Sequence, residues 1–271
     1  MTDSMRHVTG SLAPVRLHPK EHGAYAIVGV PLVTALAIGG LNTVAILTTI
    51  AAVAGFVANE PLMVFWGRRG DRARVSTPSA LPTLELLLFT AVLSGSLAFW
   101  LGSETVRIGL VVCGIFAVAG FAMSIAGWQR TLTAQFTGII GLTLPSTVVL
   151  LAGKIDSGIV VRFFAAWIIG RVATTITVRS IVALQKTSTH HQVPRINDVL
   201  LSLSVLATVG GFLTGTIECL LVTPLVASAI IVRLGAPHVR HARRIGYSFL
   251  AANIMTGLSM IVWCASALSA A

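Results

Sequence analysis

Apolar residues in this chain come in long unbroken runs, at about 24–40, 43–66, 81–101, 106–127, 134–152, 159–184, 199–215, 216–232 and 245–268, each closed by a short polar break. A straight helix needs about 20 apolar residues to cross the ~30 Å hydrocarbon layer of a bilayer. The pattern predicts nine membrane-crossing helices and therefore an all-α, polytopic membrane bundle. The weakest separation lies between the seventh and eighth runs, where Gly210, Gly211 and Gly215 are the only break and the next run carries Pro224. A re-entrant pair is the alternative there, because Gly and Pro let a membrane segment turn where protein surrounds it.

Composition narrows the class. Of 271 residues, 55% are apolar and only 10% charged, with a mean hydropathy of +0.88, whereas a soluble domain carries about 25% charged residues. A soluble globular enzyme is excluded. Residues 1–20 read as a cytoplasmic N-terminal segment and residues 21–271 as a single transmembrane helical bundle. The segment holds Arg6, His7, Arg16 and His18 but no apolar run of the kind a cleavable signal peptide needs, so the first helix itself is expected to direct insertion. Cys113, Cys219 and Cys264 all lie inside apolar runs, show no paired metal-ligand spacing, and read as small packing residues.

Nineteen Lys and Arg against nine Asp and Glu give a net charge of +10. With nine spans, fifteen basic residues fall on the N-terminal side of the bilayer: Arg6, Arg16, Lys20, Arg68, Arg69, Arg72, Arg74, Arg130, Arg179, Lys186, Arg195, Arg233, Arg240, Arg243 and Arg244. Only Arg107, Lys154 and Arg162 fall opposite, and Arg171 lies within a span. The positive-inside rule makes the richer side the cytoplasm, which puts the N-terminus inside and the C-terminus outside. The basic excess belongs to the loops, so the expected partner is the lipid bilayer and not nucleic acid.

At the mouth of the first helix stands His18-Pro19-Lys20-Glu21-His22-Gly23. Helical spacing would put His18 and His22 on one face, as a metal pair requires, yet Pro19 makes that turn irregular and no third ligand is evident. An interfacial polar cluster is the plainer reading. Glu60, in Asn59-Glu60-Pro61-Leu62, lies 17 residues beyond the start of the second run. A carboxylate at that depth is costly unless paired or hydrated, and Pro61, which lacks a backbone N–H, lets the helix open locally. The loop that follows, Gly67-Arg68-Arg69-Gly70-Asp71-Arg72-Ala73-Arg74, offers guanidinium forks to phosphate or carboxylate. A positive-inside anchor explains the same residues. In the sixth run, Arg171 sits near mid-bilayer, and Arg171, Thr175 and Arg179 recur at i, i+4 and i+8, so one helix face carries two guanidiniums. Glu60 and Glu85 are the acids deep enough to answer Arg171. A structural Glu60–Arg171 pair stands beside a substrate-binding role for the same residues. Gln135 and Asn253 read as polar glue between helices.

These motifs carry a resemblance. His-Pro-Lys-Glu-His-Gly-Ala at 18–24, followed by Asn-Glu-Pro-Leu at 59–62, resembles the YwiC-like family of bacterial membrane proteins, over a stretch expected to run from His18 to the last helix. That resemblance supports the bundle and implies no activity. More distantly, the chain resembles the UbiA superfamily of intramembrane prenyltransferases, which have nine helices, a cytoplasmic-side active site and an acidic motif ending the second helix. Asn59-Glu60 stands where that family has Asn-Asp, but its next acids would fall at Met63 and Gly67, and Asp71 is four residues late. Its second acidic motif would fall at 174–179, and no acid occurs between Asp156 and Asp198. The resemblance implies Mg²⁺ as cofactor, yet the usual acidic ligands are largely absent here, and Arg171 and Arg179 would instead offer positive charge directly to a diphosphate. Gln129-Arg130, with Gln135, Gly138, Gly141 and Pro145, loosely resembles the family's basic-then-Gly/Pro segment.

The expectation is a UbiA-like bundle in a bacterial inner (plasma) membrane, with a pocket open to the cytoplasm. In it His22, Asn59, Arg68, Arg69, Arg72, Arg130, Arg171 and Arg179 would bind the anionic head of an isoprenoid or lipid, an isoprenoid diphosphate for example, and Glu60 is the candidate catalytic group. If the protein is an enzyme, the class is transfer of a prenyl or similar lipid group. A transporter of a small organic anion would use Arg171 and Glu60 as binding and coupling charges near the midplane. A bundle that binds lipid or a protein partner without catalysis is the third reading.

Overall fold

The computed structural model describes residues 17, 22–129, 131–185, 192–215, 218–235, 237–238 and 241–269, and among them there is no strand. Eleven helices follow in chain order: α1 (His22–Gly39), α2 (Thr43–Phe65), α3 (Asp71–Ser76), α4 (Ala80–Leu101), α5 (Glu104–Ala126), α6 (Leu132–Ala152), α7 (Ser157–Gln185), α8 (Gln192–Leu213), α9 (Glu218–Leu221), α10 (Thr223–Gly235) and α11 (Ala242–Ser269). Seven of them, α2, α4, α5, α6, α7, α8 and α11, hold segments long and apolar enough to cross a membrane, and Tyr25–Gly39 and α10 are shorter apolar helices. The protein is a multi-pass membrane protein. The nine apolar runs thus become seven long helices and two short ones, with the eighth run broken into α9 and α10.

Helix ends follow local chemistry. The Asn42 side chain accepts from the Ala45 N–H at 2.9 Å and that of Thr131 from the Ala134 N–H at 3.2 Å, capping α2 and α6. Helices α2 and α5 end alike, at Gly67 and Gly127, whose φ of 73° and 80° suits a residue without Cβ. In each, two successive N–H groups turn back on the last helical carbonyls: Gly67 to Val64 and Arg68 to Met63, then Gly127 to Ser124 and Trp128 to Met123, all within 3.2 Å.

The core lies between α1, α6, α7, α10 and α11, where Trp167, Leu32, Leu150 and Leu225 are fully buried. In lipid, apolar area gives little preference for one helix neighbour over another, so close packing of small residues decides the contacts. Gly153 lies directly on the backbone of Gly39, joining the ends of α1 and α6, and a Cβ at Gly170 would stand 2.5 Å from Val222 and 2.7 Å from Leu225. Helix α5 is outermost, with only Val106 and Ser124 buried. Its exposed Ile108, Ile115 and Val118, with Leu86, Phe89 and Val92 of α4, form an apolar outer face suited to lipid.

Cross-links fix which loops share an end. Arg68 lies against Gly127, Arg179 donates to Gln135 at 3.2 Å, and Arg233 grips Asp198 with Nε and Nη2 at 2.7 and 2.8 Å. The basic loops around these residues therefore gather at one end of the bundle, and the Gly39–Gly153 contact marks the other. Leu221 of α9 packs beside Ile159, Phe163, Trp263 and Cys264 at that far end, while Arg233 near the end of α10 reaches Asp198 near the start of α8. The eighth run thus extends along the bundle as a broken helix, in place of the re-entrant pair held as the alternative.

Candidate anion-binding site

Glu60 lies in the last two turns of α2, only 9% exposed. Just beyond, Gly67 reverses the chain and Gly70, with φ 95°, starts α3. That reversal carries Arg69 back over α2, where its Nε donates to Glu60 Oε2 at 3.1 Å and its Nη2 donates to Oε1. The fork is bidentate, the strong geometry for a guanidinium on a carboxylate. This overturns the expected Glu60–Arg171 pair: the acid is answered from the end of its own helix, by a residue nine positions on. Glu85, the other acid considered, is exposed near the start of α4.

Arg68 points the other way. Its Nη1 lies 3.2 Å from where a Cβ on Gly127 would stand, so the guanidinium rests on the C-terminal caps of both α2 and α5. Both helix dipoles present their negative ends there. Asn59 Oδ1 accepts from Ser124 Oγ at 2.9 Å, tying α2 to α5 just inside the caps. The Gln129 amide meets the sulfur of buried Met63. Arg74 lies over the Phe65 ring, 5.7 Å from its centre, while Arg72 is exposed on α3. Trp66 and Trp128 are exposed at this end, where indole suits the headgroup layer.

Arg171 stands apart from this cluster. Its side chain stacks 5.6 Å from the centre of the Trp167 ring, one turn back on α7, and its Nη2 donates to the Ile27 carbonyl of α1. That carbonyl is free for a definite reason. Pro31, four residues on within α1, has no N–H to give it. Arg171 is 3% exposed, and its Nε and Nη1 have no partner. From Arg179, eight residues on, it is about 12 Å along the helix axis.

The structure thus brings together Asn59, Glu60, Arg68 and Arg69, keeps Arg72 nearby on α3, and holds Arg179 to Gln135 of α6. It does not bring Arg171 to Glu60. His22 opens α1, but its side chain lies outside the described residues, as do Arg130 and residues 18–21 with His18. Among the described residues no three of His, Cys, Asp and Glu lie close enough to hold a metal ion together. Sequence reasoning missed Ser124, Trp167 and Pro31. Only Pro31 left a signal, since a mid-helix proline frees the carbonyl four residues earlier.

Among known families, residues 18–152 match the one described as YwiC-like protein. Over this half, the chain belongs to the YwiC-like family. The matched stretch opens at the His18 motif and closes with α6, short of the last helix to which the resemblance was expected to reach. Within it lie Asn59, Glu60 and the basic loop 67–74 of this YwiC-like protein; α7, with Arg171 and Arg179, lies beyond it. No curated protein and no solved structure matches the chain.

Proposed function

We propose that this YwiC-like protein binds the anionic head of an isoprenoid or other membrane lipid at its guanidinium-rich end, with the apolar tail lying along the helices. One observation carries the reading. Glu60 is occupied by Arg69, while Arg68 and Arg72 have no carboxylate partner among the described residues, so the end keeps guanidinium charge to offer. Beside exposed Trp66 and Trp128, those forks suit phosphate oxygens at headgroup depth. On the loop charges, this end is the cytoplasmic one. Prenyl transfer, the UbiA-like activity, would further require Glu60 to leave the fork of Arg69.

The test is thermal unfolding of the purified full-length protein in detergent, with prenyl diphosphates of graded chain length, with and without Mg²⁺. Saturable stabilisation that survives removal of Mg²⁺ and is lost in Arg68→Gln/Arg72→Gln is the expected result, since a ligand that binds only the folded state raises its stability. No stabilisation at any chain length would remove the reading. A second reading, transport of a small organic anion, is favoured by the position of Arg171 at mid-helix against the Ile27 carbonyl that Pro31 leaves without its helical donor in α1, an arrangement suited to binding at the midplane. Carboxylate uptake into proteoliposomes that Arg171→Gln abolishes would favour it, and equal uptake by empty liposomes would remove it.

A further inference from the structure

Glu85 stands on the outward side of its helix. Acids within membrane spans almost always face the bundle interior or a water-filled cavity, yet on α4 the buried residues are Ala80, Leu84, Ser94 and Ala98, and Glu85 heads the stripe that looks away from them. Phe89, Val92 and Ser96 follow it at i+4, i+7 and i+11, and all four are exposed. Exposed Leu81, Leu86 and Leu93 flank the stripe, a surface suited to acyl chains. Two contacts fix the depth of the acid. Leu84 packs with Ala58 and Leu62 of α2, and Gly95 lies against Ala51, an antiparallel register that sets Glu85 level with Pro61, beside the Glu60 that Arg69 neutralises. Glu85 has no such ion pair among the described residues. It lies five residues, about 7 Å, beyond the first residue of α4. Because Cα–Cβ bonds tilt toward a helix's N-terminus, its carboxylate is directed back toward the headgroup layer where exposed Trp66 stands. A cation stands nearby at that level. Exposed Arg74 lies over the Phe65 ring, which packs on the same cluster as Leu84, so its guanidinium sits at the head of α4, about one helical turn above Glu85.

We propose that the outer face of α4 binds a phospholipid with a primary ammonium headgroup, of the phosphatidylethanolamine class, with Glu85 accepting from the ammonium, Arg74 holding the phosphate and the chains lying along Phe89 and Val92. The acid decides the class. An anionic headgroup would bring negative charge to Glu85 with nothing to offset it, and a choline headgroup carries the positive charge but no N–H, whereas a primary ammonium offers three donors, as that of lysine does. The site goes beyond the headgroup reading above: there guanidiniums take an anion beside the caps of α2 and α5, and here a carboxylate selects the cation of a bilayer lipid on the outside of the bundle.

The test titrates the purified full-length protein in detergent with phosphatidylethanolamine or phosphatidylcholine of identical acyl chains, and reads bound lipid by native mass spectrometry beside the unfolding temperature. Half-saturation at a roughly fivefold lower concentration of the ethanolamine lipid is expected, the scale of one partly exposed ion pair. Glu85→Gln, a change on the outer surface that leaves the packing intact, is expected to bring the two lipids to equal affinity. Arg74→Gln is expected to weaken both alike, since both carry the phosphate, and Arg68→Gln/Arg72→Gln to leave the ratio unchanged, which separates this site from the headgroup site. Equal binding of the two lipids by the native protein, or a preference that survives Glu85→Gln, would overturn the proposal.

Discussion

Replacing Arg69 by Ala tests whether the Gly67–Gly70 reversal exists to neutralise Glu60. In the native fold the Glu60 side chain keeps 11% of its surface and that of Arg69 keeps 44%. Removing one partner of a fully buried pair costs about 3–5 kcal/mol. With Arg69 nearly half in solvent, screening brings the expectation to about 2 kcal/mol. Glu60→Gln should cost less, about 0.5–1 kcal/mol, because the released guanidinium can turn into the headgroup layer and the amide still accepts one bond. The asymmetry is the diagnostic feature, since the acid is the buried partner. In detergent, a fall in unfolding temperature of roughly 4–8 °C is expected for Arg69→Ala and a smaller one for Glu60→Gln. The double variant Glu60→Gln/Arg69→Ala should be more stable than Arg69→Ala alone, because it removes the stranded carboxylate. If Arg69→Ala proved no worse than Glu60→Gln, or if the two effects simply added, the fork would not be what makes an acid tolerable at that depth.

Three further outcomes follow from the packing. Gly170→Ala puts a methyl group 2.5 Å from Val222 and 2.7 Å from Leu225, so a loss of about 1–3 kcal/mol is expected, and a melt within 1 °C of the native one would show that α7 and α10 do not meet so closely. Charge reversal by Asp198→Arg or Arg233→Asp should each destabilise the bundle, and the exchanged pair Asp198→Arg/Arg233→Asp should recover most of the loss, a rescue that depends on α10 returning to the start of α8. Pro31→Ala restores an N–H to the Ile27 carbonyl and would gain up to ~3 kcal/mol in an isolated helix. Here it sets that N–H against Arg171, so a much smaller gain or a net loss is expected in the melt, and a full gain would show that the Arg171–Ile27 bond contributes nothing.

The sequence alone determined the helical runs, because membrane-crossing segments must satisfy their own backbone and be apolar along their length, and those demands are written in consecutive residues. It also determined that Glu60 and Arg171 needed compensation, since the cost of a charge depends on its depth in a run. The opening motif at His18 was legible as well, and the family match begins there. Tertiary structure alone decided who compensates whom. Glu60 found Arg69 because two glycines with positive φ turn the loop back on α2, a direction that residue types suggest but do not dictate. Arg171 found a backbone carbonyl 144 residues away, and carbonyls carry no sequence signature except where a proline withholds the usual donor. Charges along a chain state a requirement. Only the packing of helices, set by glycines such as Gly153 and Gly170 at the crossings, determines which groups come near enough to meet it.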